Sequence, residues 1–127
     1  MTPEEKQLLL QDLCARLPYK VKASYYGAEE EMQTYDEIEG VCGDYVEIGQ
    51  YSLPIEAIKP YLFPLSSMTE KQKIEYNSLR SIGIDEYGNI VYFNTFESVD
   101  WFNKNHFDYR GLIPMGLAND ATGLNIY

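Results

Sequence analysis

The sequence has few of the residues on which recognisable catalytic or metal chemistry depends. It contains two cysteines, Cys14 and Cys42, and one histidine, His106, among 127 residues. The cysteines lack the paired short spacing of zinc or dithiol sites, so we expect no disulfide scaffold and no transition-metal site. We interpret both thiols as reduced and mostly buried.

Motifs for nucleotide binding and nucleophilic catalysis are also missing. The glycines are scattered and none opens a helix at the spacing of a phosphate loop or a dinucleotide fingerprint. No nucleophile elbow is present, and no histidine lies beside a cysteine to activate it. The acids do not form the Asp/Asn ladder of a calcium loop. We therefore predict no cofactor and no metal, and we favour a protein that is not an enzyme.

Long apolar runs are absent as well. None approaches the roughly 20 residues that span a bilayer, and the first residues, 1–6, carry acids where a signal peptide is basic. We expect a cytoplasmic protein with no membrane contact. A chain of 127 residues suits one hydrophobic core, so we predict a single domain over residues 1–127 whose tail frays after about residue 117.

Lysine and arginine are missing between Ala23 and Ile58, and this acidic window holds nine acids. It therefore contributes −9 to a formal net charge of −10. We predict one negative surface that attracts a basic protein and repels nucleic acid. A solvated face that only keeps the protein soluble is the alternative. The candidate interaction residues are Glu29, Glu30, Glu31, Asp36, Glu37, Glu39, Asp44 and Glu47.

The first half of the chain predicts one helix followed by strands. Thr2 and Glu5 form a capping box, and leucines at helical spacing continue to Pro18, which ends the helix. Alternation from Tyr19 predicts a strand, and two more are predicted over 34–41 and 45–50, joined by a turn at Gly43. Residues 52–64 contain three prolines, so we predict an edge strand or a helical turn there and not a central strand.

The second half predicts two short helices and a hairpin. A surface helix begins at Ser67 or Thr69 and runs to about residue 80. Residues 82–84 and 90–92 alternate as two strands around a turn with Gly88. Asn94 caps a third helix whose inward face carries Phe96, Val99 and Phe102. The fold class is therefore α+β: an N-terminal helix, a small antiparallel sheet that could curl towards a barrel, and two further short helices.

The segment around His106 places a base, an acid and a cation close together in sequence. His106 and Asp108 could act as the acid–base pair of a small hydrolase-like enzyme, if the fold set them in a cleft. The structural interpretation is that Asp108 caps backbone amides of a turn, that Arg110 pairs with Asp108 or another carboxylate, and that aromatic residues anchor the tail. The candidate structural motif comprises Trp101, Phe107, Asp108, Tyr109 and Arg110.

This C-terminal motif, W-F-N-x-x-x-F-D-Y-R-G-L-I over residues 101–113, resembles a group of small uncharacterised proteins of Bacteroides-type gut bacteria and their phages or mobile elements. Residues 8–19, 53–55, 59–62 and 66–69 resemble the same group, so the likeness spans nearly the full chain. The resemblance implies a bacterial cytoplasmic or phage-encoded accessory protein. It implies no activity, cofactor or site residue.

Three functional hypotheses follow from these patterns. The first is a non-enzymatic interaction module whose acidic window meets a basic protein. The second is a nucleic-acid mimic, in which the carboxylates imitate a row of phosphates and occupy a DNA-binding protein. The third is the enzyme that uses His106 and Asp108. The 12 tyrosines suit an interface, since tyrosine offers a large contact area with a polar tip, but they equally suit packing in strands.

Overall fold

The computed structural model describes residues 1–26 and 34–127. It confirms the α+β class, with an N-terminal helix, two shorter helices and a sheet made mostly of antiparallel pairs. In chain order the elements are α1 Pro3–Arg16, β1 Lys22–Tyr25, β2 Thr34–Cys42, β3 Tyr45–Ile48, β4 Tyr51–Pro54, β5 Ile58–Pro64, α2 Glu70–Leu79, β6 Ser81–Ile84, β7 Ile90–Phe93, α3 Phe96–Lys104, β8 Phe107–Asp108 and β9 Asn119–Asp120.

The main sheet is open and not closed into a barrel in the part of the chain that the structure describes. Its strands follow the order β4-β3-β2-β1-β5-β8, and β9 also pairs with β5. The pairs from β4 to β5 are antiparallel, whereas β8 and β9 join β5 in parallel. Strands β6 and β7 form a separate two-stranded hairpin. The core lies between α1 and one face of the main sheet, which we call the inner face.

Helix α1 begins as predicted, with Thr2 and Glu5 satisfying each other's backbone amides in a capping box. Leu9 and Leu13 are fully buried and pack with Val21, Ala23 and other inner-face side chains of the sheet. The helix ends at Arg16 and continues as a 3-10 turn over Leu17–Tyr19. Cys14, on the same helix, is exposed, and so is Cys42, so the prediction of buried thiols is wrong.

The predicted strand at Tyr19 begins three residues later than expected. Lys20 has a left-handed φ of 60°, which interrupts an extended chain before β1 can start. The predicted strands over 34–41 and 45–50 correspond to β2 and β3, and Gly43 has the positive φ that their turn requires. A β-bulge lies between Ile38 and Gly40 in β2.

The helical turn predicted within residues 52–64 is present as a 3-10 turn over Ile55–Ala57. Strand β5 follows it and pairs with three strands in turn, first β1, then β9 and then β8. Its prolines fall where its partners change. Pro60 is the last residue paired with β1, Tyr61 and Leu62 pair with β9, and Pro64 ends the strand. A missing amide donor is tolerated at such boundaries because no continuous ladder runs past it.

The C-terminal elements match their predictions with two corrections. Helix α2 begins at the Thr69 capping box and buries none of its residues, as predicted. Helix α3 is capped by Thr95 and not by Asn94. Phe96, predicted to share a face with Phe102, is 90% exposed whereas Phe102 is buried, because six residues place the two side chains about 120° apart around the helix.

The segment after Leu117, where we expected fraying, docks onto the sheet. Strand β9 pairs with Tyr61 and Leu62, and Ala121 and Ile126 are buried. The Tyr127 hydroxyl donates to the carbonyl of Tyr61 and accepts from the backbone amide of Lys22. It thereby bridges β1 and β5 just beyond the point where their own pairing stops.

A buried ion pair joins helix α1 to the C-terminal motif. The guanidinium of fully buried Arg16 donates to both carboxylate oxygens of Asp12, at 2.7 and 3.1 Å, and to the carbonyl of Phe107 at 2.6 Å. Arg110 adds a second cation, with Nε 3.2 Å from Asp12 Oδ1. The ring of Tyr109 lies beside the guanidiniums of both arginines. Two elements far apart in sequence are therefore held by one charge cluster.

This cluster generates a stability prediction. Asp12→Ala leaves the Arg16 charge buried without its carboxylate, so we expect the free energy of unfolding to fall by about 3–5 kcal/mol. Lys73→Ala, which removes the exposed Lys73–Glu70 pair, is the control and should cost about 1 kcal/mol or less. Urea unfolding measures both. An Asp12→Ala loss as small as that of Lys73→Ala would contradict a structural role for the pair.

Candidate interaction surface

The described acids of the acidic window lie on both faces of the sheet. Asp36 pairs with Ala23, whose side chain is in the core, so Asp36 lies at the rim of the inner face. Glu37 pairs with Lys22 in the next register position, so it lies on the opposite, outer face. The single negative surface predicted from sequence therefore divides into two groups within the described residues. Glu29, Glu30 and Glu31 lie outside them.

The inner group is partly neutralised by a distant cation. Lys6 Nζ of helix α1 is 3.1 Å from both Asp44 Oδ2 and Glu56 Oε1. Hydrogen bonds from Lys6 lower the pKa of Glu56, after the larger effect of a backbone amide, and the two carboxylates raise the pKa of Lys6. These acids serve to dock α1 against the β2–β3 turn, and they are not a free negative surface.

The outer group combines acids with tyrosines. After the bulge in β2, Gly40 faces Glu47 and Cys42 faces Tyr45, so these side chains share the outer face with Tyr35 and Glu37. The side chains of Tyr35 and Tyr45 are 50% and 53% exposed. The Tyr35 ring meets the edge of Tyr61 at 5.9 Å, and Glu47 accepts a hydrogen bond from Ser52. We call Tyr35, Glu37, Tyr45 and Glu47 the outer-face patch.

The remaining acid of the predicted set, Glu39, is exposed at the bulge between Ile38 and Gly40. The bulge inserts one extra residue into β2. Before the bulge the odd-numbered residues lie on the outer face, and after it the even-numbered residues do. Simple alternation read from the sequence does not locate this change. The tyrosines of the patch were visible in the sequence as strand residues, but their exposure was not.

The C-terminal motif forms a packed aromatic and polar cluster. Both Asp108 carboxylate oxygens accept backbone amides at 2.9 Å, from Leu112 and Ile113, which confirms the predicted capping role. Arg110 pairs with Asp12, the other carboxylate that the prediction left open. Phe107 is buried and its ring stacks on Trp101 at a centroid distance of 5.5 Å. These residues fasten the C-terminal segment to α1 and α3.

His106 is also built into this packing. It has a left-handed φ of 62°, is only 9% exposed, and stacks on the Tyr127 ring with 3.6 Å between centroids. Burial, and after it the positive charges of Arg16 and Lys22, lower the pKa of His106 to about 4. Burial likewise raises the pKa of Tyr127. With the Asp108 oxygens occupied by amides, the two residues proposed for acid–base chemistry have structural partners instead.

No protein-family model, curated protein or solved structure is similar enough to the chain to match it. Within residues 1–26 and 34–127, no helix is both long and apolar enough to cross a membrane. In the same two segments, no group of three or more histidine, cysteine and acidic side chains could hold a metal ion. The function is therefore inferred from the exposed surfaces.

The buried histidine predicts a pH dependence. The unfolded chain protonates His106 near its ordinary pKa of 6.5, and the folded chain does so near 4. Between these values the unfolded state binds more protons, so stability falls as the pH falls, by up to about 1.4 kcal/mol per pH unit from this residue. His106→Asn keeps a side chain that tolerates positive φ and removes the titration.

Urea unfolding of both proteins between about pH 7 and pH 4.5 isolates this contribution, because the carboxylates common to both cancel in the difference. The stability advantage of the wild type over His106→Asn should shrink as the pH falls through this window. A difference that stays constant with pH would show that His106 is not held neutral in the folded protein.

Proposed function

We propose that the protein is a non-enzymatic interaction module whose outer-face patch binds a basic protein surface. The observation that carries this proposal is one face of the sheet on which two exposed tyrosines and exposed Glu47 lie with half-buried Glu37. Tyrosine is enriched at interfaces because it buries a large area with few rotatable bonds, and its ring attracts the cations that the carboxylates also attract. An arginine- or lysine-rich surface satisfies both kinds of group.

The charge distribution supports the same class of partner. The acidic window contains nine acids and no lysine or arginine, and Lys22 and Lys59 border the outer-face patch from neighbouring strands β1 and β5. The patch is therefore negative with a positive border on one side, which gives a docking partner an orientation as well as an attraction. A bacterial cytoplasmic or phage-encoded accessory role accords with this proposal.

The described residues support the two alternative functions less well. A nucleic-acid mimic needs a continuous row of carboxylates on one surface, whereas Asp36 and Glu37 lie on opposite faces. An enzyme based on His106 and Asp108 needs both groups available to a substrate, whereas His106 is stacked on Tyr127 and Asp108 is held by two amides. No specific contact favours either alternative over the interaction module.

The face on which binding occurs is testable with a defined basic probe. We expect Glu37→Gln/Glu47→Gln to weaken binding of an octa-arginine peptide about fivefold at low salt, because each lost exposed pair contributes about 0.5 kcal/mol. The matched control is Asp36→Asn/Asp44→Asn, which removes the same charge from the other group of acids and should have a smaller effect. Isothermal titration calorimetry measures both affinities.

Tyrosine contributes separately from charge. The double variant Tyr35→Ser/Tyr45→Ser, with all acids intact, should also bind the peptide more weakly, since ring–guanidinium contacts are lost. Equal losses for the two acid pairs, with no loss for the tyrosine variant, would show that the peptide responds only to net charge and would remove the patch as the binding site.

A further inference from the structure

The β6–β7 hairpin presents an apolar face that the rest of the described chain leaves uncovered. Its cross-strand pairs Ile82–Tyr92 and Ile84–Ile90 place four large side chains on one side. They are between 54% and 74% exposed. We call these four residues the hairpin face. Contiguous exposed apolar side chains of this kind mark contact surfaces in soluble proteins.

Contacts on the other side and at the tip of the hairpin order it and leave this face uncovered. On its other side the Phe93 ring covers Gly83, where any Cβ would lie 2.7 Å from a ring carbon. At its tip the Asp85 carboxylate accepts the amides of Tyr87 and Asn89, and Gly88 has a positive φ of 82°. The turn is therefore ordered by its own hydrogen bonds. A two-stranded hairpin without further packing is marginally stable in water, so covering its face stabilises it.

Charges at the two ends of the hairpin indicate what covers it. Arg80 lies at the base, with its guanidinium 4.7 Å from the centre of the Tyr92 ring and 4.8 Å from that of Tyr76. Glu86 lies at the tip and is exposed. When two copies of the hairpin pack face to face and antiparallel, the tip of each lies at the base of the other. Glu86 of one copy then meets Arg80 of the second, twice, by symmetry.

The local net charge permits this approach. Residues 70–104 carry six acids and four bases, a net of −2, whereas the acidic window alone carries −9. Two copies that meet through this region therefore keep the strongly negative acidic windows apart.

We propose that the hairpin face is a self-association surface, on which a second copy of this chain packs through the same four residues in antiparallel orientation. The contact is small, below the roughly 1,200 Å² of a standard stable interface, so we expect a weak, transient dimer. It uses a different surface from the outer-face patch and leaves that patch exposed on both copies.

Sedimentation velocity of the full chain at about 5 to 500 µM tests the proposal by mass action. The wild type should shift from monomer towards dimer across this range. Ile84→Thr/Ile90→Thr, which keeps β-branched strand residues, should remain monomeric with an unchanged circular dichroism spectrum. Tyr35→Thr/Tyr45→Thr, an equal number of exposed strand substitutions on the outer-face patch, should dimerise like the wild type.

Charge exchange tests the orientation. Glu86→Arg should weaken the dimer at least fivefold, and Glu86→Arg combined with Arg80→Glu should restore it, because the exchanged charges meet again across the two-fold axis. A wild type that stays monomeric at the highest concentration, or a dimer abolished by the outer-face variant and not by the hairpin variant, would overturn the proposal. Failure of this dimer leaves the peptide-binding result unaffected, since that experiment uses other residues.

Discussion

The fold depends on one buried ion pair that closes the chain on itself. Asp12 and Arg16 have no exposed surface, so their charges are tolerable only because each has charged or polar partners: Asp12 has two arginines, and Arg16 has a carboxylate, a carbonyl and an aromatic ring. The partners supplied by Phe107, Tyr109 and Arg110 come from the C-terminal motif. The pair itself lies within helix α1, and the motif covers it and supplies its remaining partners, so the docking of the two elements and the burial of the pair occur together.

The C-terminal segment completes the sheet that this docking positions. Strand β5 pairs with β1 only as far as Pro60, and beyond that point the Tyr127 hydroxyl fills the gap between the two strands, while β9 and β8 pair with the later residues of β5. His106 stacks on the Tyr127 ring and so helps to hold the Tyr127 hydroxyl in place. The segment around His106, which the sequence suggested for acid–base chemistry, thus helps to fill a gap between two strands. Its polar groups are buried because they serve the fold.

The described residues include two exposed sheet faces of different chemistry. The outer-face patch is acidic and tyrosine-rich, whereas the hairpin face is apolar and locally near neutral. Charged, hydrated side chains favour fast and oriented encounters, and apolar side chains favour contact with a matching apolar face. The two proposals therefore assign the two faces to different kinds of partner, and neither proposal requires residues of the other face.

Local patterns determined much of the secondary structure from the sequence alone. The capping boxes at Thr2 and Thr69 and the β6–β7 hairpin were predicted because their hydrogen bonds join residues only a few positions apart. The α+β class followed from the same patterns. At the third helix the prediction placed the capping box one residue too early, since Asn94 with Glu97 matches the spacing but Thr95 with Ser98 forms the box.

Only the tertiary structure decided which residues are buried and which face each strand presents. The pairing of β1 with β2 placed Asp36 and Glu37 on opposite faces, β5 paired with three strands in turn because its prolines fell at changes of partner, and Arg16 was buried because residues about ninety positions away surround it. Each outcome depends on contacts between distant segments. Composition and spacing give the local propensities of a residue. Its burial and its partners depend on distant segments that come close only when the chain folds.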